Sequence, residues 1–116
     1  MTTRESTFEQ LRRQEWERRI VALRERLRHT LGSTDCSVWL FGSLARGDWD
    51  GFSDTDLLVV AASSEDAERT ADRLEAALVG DDVLAIDQER WQAMTRSPSP
   101  HWRAIRAQAI RLHPEP

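Results

Sequence analysis

Apolar residues recur at helical spacing near the start of the chain. They lie three or four positions apart and so share one face of a helix: Trp16, Ile20, Leu23, Leu27 and Leu31. Arg and Glu fill most of the positions between them. Ser6 and Glu9 fit a capping box at the helix start, and Gly32 fits its end. We therefore predict one long helix, within residues 1–33, whose apolar face covers a sheet.

Three short apolar segments predict the strands of that sheet, at residues 37–43, 54–62 and 82–86. The second is apolar without interruption after Asp56, which indicates burial on both faces. Residues 64–79 show a helical pattern and separate the second strand from the third. These two strands should therefore run parallel, joined by a right-handed crossover. The short connection between the first and second strands favours antiparallel pairing.

Further helices are expected to cover the sheet. The helix at 64–79 should bury one side, which carries Ala67, Ala71, Leu74 and Leu78. After the third strand, Asp87 can cap a short helix that carries Trp91 and Met94. Ser99 followed by Pro100 can open a last helix that carries Trp102, Ile105, Ala109 and Leu112.

The order of elements predicts a single α/β (α+β) domain over residues 1–116. Its architecture is a small mixed β-sheet with flanking helices. Its parts are the N-terminal helix, the sheet core and the C-terminal helices, at 1–33, 37–86 and 88–112.

The charge is distributed unevenly along the chain. The net charge is −4, but residues 34–89 carry three Arg and fourteen acidic residues. That acidic stretch argues against an extended nucleic-acid surface and suits divalent cations. The chain has no Lys and no Tyr, which excludes catalytic chemistry by either residue. The single cysteine, Cys36, cannot form an internal disulfide and is interpreted as a structural thiol.

No segment of the chain resembles a membrane span or a secretory signal. No apolar run approaches the length of a bilayer, and the first ten residues lack an apolar stretch. We therefore expect a cytoplasmic protein with no membrane association.

Two aspartates at the start of the second strand point to metal chemistry. Asp54 and Asp56 are two positions apart, so on a strand both project from the same face. Carboxylates this close raise one another's pKa unless a positive charge lies between them, and the only nearby Arg is Arg46. Because hard oxygen ligands suit Mg²⁺, a divalent cation is the natural counter-charge. A lone D-x-D is usually a turn or a cap, but burying two unpaired charges costs several kcal/mol.

A Gly-Ser pair precedes these aspartates at the end of the first strand. If the first two strands are antiparallel, Gly42 and Ser43 lie beside Asp54 and Asp56. Gly42 lets the chain turn tightly, and Ser43 opens a short helical turn whose backbone N–H groups can bind an anion. Arg46 either contacts a phosphate or pairs with a loop aspartate. A triphosphate bridged by Mg²⁺ fits both features.

The segment "GSLARGDWDGFSDTDLLVV" resembles the signature of the polymerase-beta-like nucleotidyltransferase superfamily, which is Gly-Ser, ten residues and then D-x-D. Within it, "GSLARG" is similar to the minimal nucleotidyltransferases. The clear match covers residues 38–60, and a looser one extends to Leu112. The resemblance implies a mixed sheet with flanking helices. It also implies that Gly42 and Ser43 hold the nucleotide phosphates and that Asp54 and Asp56 bind Mg²⁺.

The resemblance further implies a third carboxylate on the next core strand. Asp81, Asp82 and Asp87 are the candidates. If the second and third strands are parallel, their starts are adjacent, which favours Asp82 as a metal ligand or general base. Asp81 is the next candidate. Asp87 lies about 16 Å further along the strand and fits a helix cap.

The function implied by the resemblance is Mg²⁺-dependent transfer of a nucleoside monophosphate, AMP from ATP, to an acceptor hydroxyl. Minimal members often act as antitoxins that modify a partner ribonuclease of the HEPN type. We expect an acceptor outside the chain, because the chain is short and the absence of Tyr excludes tyrosine self-modification. Two alternatives stay open. The protein could neutralise a partner by binding alone, or it could modify a small molecule such as an antibiotic, in which case a homodimer would complete the acceptor site.

Overall fold

The structure, a computed structural model, describes residues 7–47 and 54–116, which form five α-helices and four strands. The helices are α1 Thr7–Leu31, α2 Ser43–Arg46, α3 Ser64–Ala76, α4 Gln88–Ala93 and α5 Pro100–Gln108. A short 3₁₀ turn, Met94–Arg96, follows α4. The strands are β1 Cys36–Phe41, β2 Asp56–Ala61, β3 Asp82–Asp87 and β4 Ile110–His113.

The strands form one mixed sheet in the order β3-β2-β1-β4. β2 is antiparallel to β1 and parallel to β3, which confirms both predicted pairings. The register places Phe41 opposite Asp56, and Asp56 opposite Asp82. The end of β1 and the starts of β2 and β3 therefore meet at one end of the sheet.

Alternate residues of β2 enter two separate apolar cores. Leu57 and Val59 pack with α1 and α3 on one side of the sheet, in a cluster that also contains Leu27 and Leu74. On the other side, Leu58 and Val60 pack with Trp91 and Met94. The continuous apolar run of β2 is thus explained by burial on both faces, as predicted, and the strand is fixed from both sides.

The N-terminal helix covers the first of these cores, as the apolar stripe predicts. Ile20, Leu27 and Leu31 are buried, and the helix ends at Leu31. The predicted cap, Ser6, lies outside the described residues. Within the described ranges, no helix combines the length and the apolar character needed to cross a membrane.

The end of α3 differs from the prediction. The helix ends at Ala76 rather than at residue 79. Leu78 adopts a left-handed φ of 57° and is 80% exposed, so its predicted burial was wrong. The Leu78 N–H donates to Glu75 O (3.0 Å) and the Val79 N–H donates to Leu74 O (2.9 Å). This is the Schellman pattern, in which Val79 takes the buried place beside Leu74.

The C-terminal segment also differs from the prediction. The last helix ends at Gln108 instead of reaching Leu112, and the strand β4 pairs antiparallel with β1. The prediction was wrong because a strand along β1 satisfies that strand's outer backbone groups, whereas a longer helix would leave them unpaired. Leu112 is fully buried, but in the α1 core and from a strand.

Both predicted helix caps in this region are confirmed. Asp87 accepts a hydrogen bond from the Arg90 N–H at 2.7 Å and caps α4. Ser99 caps α5, with Pro100 in its first turn. The C-terminal helices are therefore delimited by the local signals that the sequence contains, except at the end of α5.

Leu78 gives a stability prediction. We expect Leu78→Gly to raise the free energy of unfolding by about 1 kcal/mol, because a side chain in the left-handed region is strained and this one is mostly exposed. Urea denaturation measures the change. The control Leu78→Ala keeps the Cβ and should leave stability nearly unchanged; equal stability of the Gly and wild-type proteins would contradict the strain.

Candidate active site

Four carboxylates lie near the end of the sheet where β2 and β3 begin: those of Asp54, Asp56, Asp81 and Asp82. Asp56 opens β2 and Asp82 opens β3, and the two residues are partners in the parallel register. Partners in neighbouring strands project from the same face, here the face of Leu58 and α4. Asp56 is half-buried, whereas Asp54 and Asp82 are exposed. The structure thus places Asp56 and Asp82 side by side, with Asp54 two positions upstream.

Crowding of negative charge changes the ionisation of Asp56. Burial raises the pKa of its carboxyl above the usual range, and repulsion from Asp82, Asp54 and Asp81 raises it further. The guanidinium of Arg46 acts in the opposite direction and lowers the pKa of Asp56. A carboxyl with a raised pKa favours folding while it is protonated, so this contribution is lost as the pH rises through the folded-state pKa. When these carboxylates are ionised they repel one another, and a bound cation would relieve that repulsion.

The structure separates the three candidates for the third carboxylate. Asp81 turns to the backbone of Thr55, whose N–H donates to Asp81 Oδ2 at 2.7 Å. Asp87 lies opposite Ala61, at the far end of β3, and caps α4. Only Asp82 occupies the register position beside Asp56 on its face. Its role as a metal ligand or general base stays a prediction.

Gly42 forms the turn between β1 and α2, in direct contact with Asp56. Its φ is 77° and its ψ is −160°, a conformation that residues with a side chain rarely adopt. A Cβ at this position would lie 2.4 Å from Asp56 Oδ2. The sequence predicted both the tight turn and the placement of Gly42 beside Asp54 and Asp56, and the pairing of Phe41 with Asp56 brings Gly42 against the Asp56 carboxylate. Gly42 is therefore required both by the turn and by the position of the carboxylate.

The short helix α2 fixes the remaining candidate residues, Ser43 and Arg46. Ala45 and Arg46 each donate a backbone N–H to Gly42 O at 3.1 Å. Leu44 is fully buried, and its carbonyl accepts a hydrogen bond from the Trp16 indole at 2.7 Å. The position of α2 is therefore fixed by its hydrogen bond to α1 as well as by its covalent connection to β1. Binding of phosphate by Ser43 and Arg46 stays a prediction, and the loop aspartates Asp48 and Asp50, with Trp49, lie outside the described residues.

The donor set fits a hard divalent cation in chemistry and in backbone placement. Asp54, Asp56 and Asp82 offer carboxylate oxygens, which Mg²⁺ prefers. Over residues 7–47 and 54–116, no three His, Cys, Asp or Glu side chains already surround one point that could hold an ion. The exposed side chains of Asp54 and Asp82 would therefore have to rotate toward Asp56 when a cation binds.

Cys36 is remote from this site. It lies at the other end of β1, opposite Ala61. Burial and the nearby charge of Asp35 raise the pKa of its thiol, although Arg73 opposes the shift. A thiol of raised pKa is a poor nucleophile, which agrees with a structural role.

Comparisons with known proteins indicate the family of the chain. The model of the family described as "Nucleotidyltransferase domain" matches residues 9–111. Among solved structures, one described as a toxin–antitoxin with AMP-PNP is 28% identical over 83% of this chain and 71% of its own, with a TM-score of 0.41. A mutant of the toxin–antitoxin MntA-HpeT is 26% identical over the same shares, with a TM-score of 0.40. No curated protein matches the chain.

Gly42 and Gly32 provide a matched pair of variants. We expect Gly42→Ala to lose more stability than Gly32→Ala, because both have positive φ but only position 42 has an atom within 4 Å of the added Cβ. Gly32→Ala should cost about 1–2 kcal/mol from backbone strain alone. Urea denaturation measures both changes.

The added Asp56 contact can be isolated by a double variant. Combining Gly42→Ala with Asp56→Ala removes the carboxylate that the new Cβ meets, so Gly42→Ala should cost less stability in the Asp56→Ala background than in the wild-type protein. Equal losses for the two single glycine variants, with the same cost of Gly42→Ala in both backgrounds, would contradict the contact.

Proposed function

We propose a specific reaction for this chain, which belongs to the nucleotidyltransferase domain family: the transfer of AMP from ATP to an acceptor hydroxyl, with Mg²⁺ as cofactor. The observation that carries the proposal is the meeting of Gly42, Asp56 and Asp82 at one end of the sheet. Gly42, which has no side chain, lies against the carboxylate of Asp56, and burial and the neighbouring carboxylates raise the pKa of Asp56. Such a site favours a ligand that brings both a cation and phosphates.

Asp54, Asp56 and Asp82 are proposed to hold the metal. Mg²⁺ bound there would neutralise the carboxylates and the charge on the transferred phosphoryl group. The side chain of Asp56 is the most restricted of the three, because it is half-buried in the sheet and packs on Gly42. Asp54 and Asp82 are exposed and complete the set from either side.

Ser43 and Arg46 are proposed to hold the phosphates. Ser43 is the first residue of α2, where backbone N–H groups lie at a helix start. Arg46 lies close enough to Asp56 to lower its pKa, so its positive charge acts within the site. Both residues are carried by a helix that Trp16 ties to α1.

Asp82 is also proposed to receive the proton of the acceptor. The acceptor oxygen forms a bond to the α-phosphorus of ATP, the α–β phosphoanhydride bond breaks, and pyrophosphate leaves. The hydroxyl proton goes to a carboxylate acting as general base. Asp82 is the exposed carboxylate on the face of Asp56, which makes it accessible to a bulky acceptor.

The acceptor is proposed to be a hydroxyl on a partner protein. The chain contains no Tyr, so a tyrosine acceptor must come from another molecule. The resemblance of residues 38–60 to minimal nucleotidyltransferases suggests a ribonuclease of the HEPN type, which transfer would silence. Neutralisation by binding alone and transfer to a small molecule are distinct outcomes of the test below.

ATP labelled at the α-phosphate tests the reaction. With Mg²⁺ and a candidate acceptor, we expect label on the acceptor, and none when only the γ-phosphate is labelled. Asp54→Asn combined with Asp56→Asn should lower the rate by at least about 100-fold, and chelation of Mg²⁺ should abolish transfer. Asp72→Asn, an exposed position on α3, is the matched control and should keep full activity.

Three results would contradict the proposal. Full transfer by the double variant would remove these aspartates from the reaction. Neutralisation of a partner by the double variant at undiminished strength would favour binding alone. Label on a small molecule but never on protein would replace the protein acceptor.

A further inference from the structure

Asp81 and Asp82 differ in what their side chains do, although they are adjacent in sequence. Thr55 lies between Asp54 and Asp56, is buried, and precedes the first residue of β2. Its buried backbone N–H and C=O need partners. Thr55 N–H donates to Asp81 Oδ2 at 2.7 Å, and Thr55 O accepts from the N–H groups of Asp81 (2.8 Å) and Asp82 (3.3 Å). One turn therefore satisfies both backbone groups of Thr55.

We propose that Asp81 is a positioning residue, which holds Thr55 so that Asp54 and Asp56 stand beside Asp82. The hydrogen bond to an ionised carboxylate is of the strong, charge-assisted kind. A rotation of the Thr55 peptide would break it and would displace Asp54 and Asp56 together, because both are bonded neighbours of Thr55. The relevance to metal binding and transfer rests on the proposed function; the support of Thr55 does not.

The turn that carries Asp81 is held in place by the residues that precede it. Gly80, with a φ of 82°, packs so closely on Leu57 that a Cβ would lie 2.7 Å from its Cδ1. Val79 is fully buried at the end of α3. The Thr55 hydroxyl accepts a hydrogen bond from Arg19 Nη2 at 3.4 Å. Asp81 thus links the end of α3 to the start of β2 through a rigid turn.

Substitutions can separate support from direct metal binding. Asp81→Asn keeps an oxygen that accepts from the Thr55 N–H but removes the charge. Asp81→Ala removes both, and Asp81→Val is a second variant without an acceptor oxygen should Asp81→Ala fold poorly. Asp82→Asn is the matched control, because its side chain accepts no hydrogen bond from Thr55 among those that hold this segment.

Two readouts are measured on the full chain. The first is hydrogen exchange of the Thr55 amide by NMR, in the absence of metal and nucleotide. The second is Mg²⁺ affinity in the presence of a non-hydrolysable ATP analogue. Asp81→Ala and Asp81→Val should speed Thr55 exchange at least about tenfold while leaving the Val59 amide unchanged. They should weaken Mg²⁺ binding about tenfold, as loss of a supporting hydrogen bond does.

In the control variants, Thr55 exchange and Mg²⁺ affinity should respond differently. Asp81→Asn should restore Thr55 protection and most of the Mg²⁺ affinity. Asp82→Asn should keep Thr55 protected while losing Mg²⁺ affinity. Unchanged Thr55 exchange in Asp81→Ala and Asp81→Val would overturn the positioning role. So would an equal loss of affinity in Asp81→Asn and Asp81→Ala, because that result would make Asp81 a direct ligand. If the wild-type protein binds no Mg²⁺, the proposed function fails, while Thr55 exchange still decides whether Asp81 supports the segment.

Discussion

Repulsion among carboxylates at the start of β2 is the constraint on which the site depends. Asp56 cannot move away from its neighbours, because β2 is paired on both edges and buried on both faces. Burial and the charges of Asp82, Asp54 and Asp81 together raise the pKa of Asp56. A small domain retains such a cluster at the cost of stability. The cost is explained if the cluster exists to attract a cation and the phosphates that accompany it.

The rest of the fold holds that cluster in place. On one side, the Trp16 indole fixes Leu44 and with it α2, so that Gly42 lies against Asp56. On the other side, Asp81 accepts the Thr55 N–H and fixes the peptide between Asp54 and Asp56. The two supports come from α1 and from the turn after α3. The core helices thus serve the site as well as the stability of the sheet.

The pairing of the central strands and the position of Asp82 could be predicted from the sequence, because a local pattern indicated each of them. The apolar run after Asp56 and the helix before Asp82 together predicted a buried, parallel β2–β3 pair. That pairing in turn favoured Asp82 over Asp87. The placement of Gly42 beside Asp56 was also predicted, from the antiparallel pairing of β1 and β2, and the register explains how closely the two residues approach.

Other features depend on interactions that no local pattern encodes. Leu78 is apolar and at helical spacing, yet it adopts the left-handed C′ position that glycine usually occupies. Leu112 also continues the helical spacing of α5, but the edge of β1 recruits its segment as a strand. The support of Thr55 by Asp81 arises from the geometry of a turn, so the sequence offered Asp81 only as another carboxylate.

The ionisation of Asp56 tests the central claim most directly. Its carboxyl pKa can be measured by NMR in protein labelled at the Asp side chains, first without metal and then with Mg²⁺ and a non-hydrolysable ATP analogue. The account predicts a pKa above the usual Asp value of about 3.9 without metal. It also predicts a marked fall when Mg²⁺ binds, because the cation competes with the proton. An ordinary pKa without metal, or one that Mg²⁺ leaves unchanged, would contradict the account.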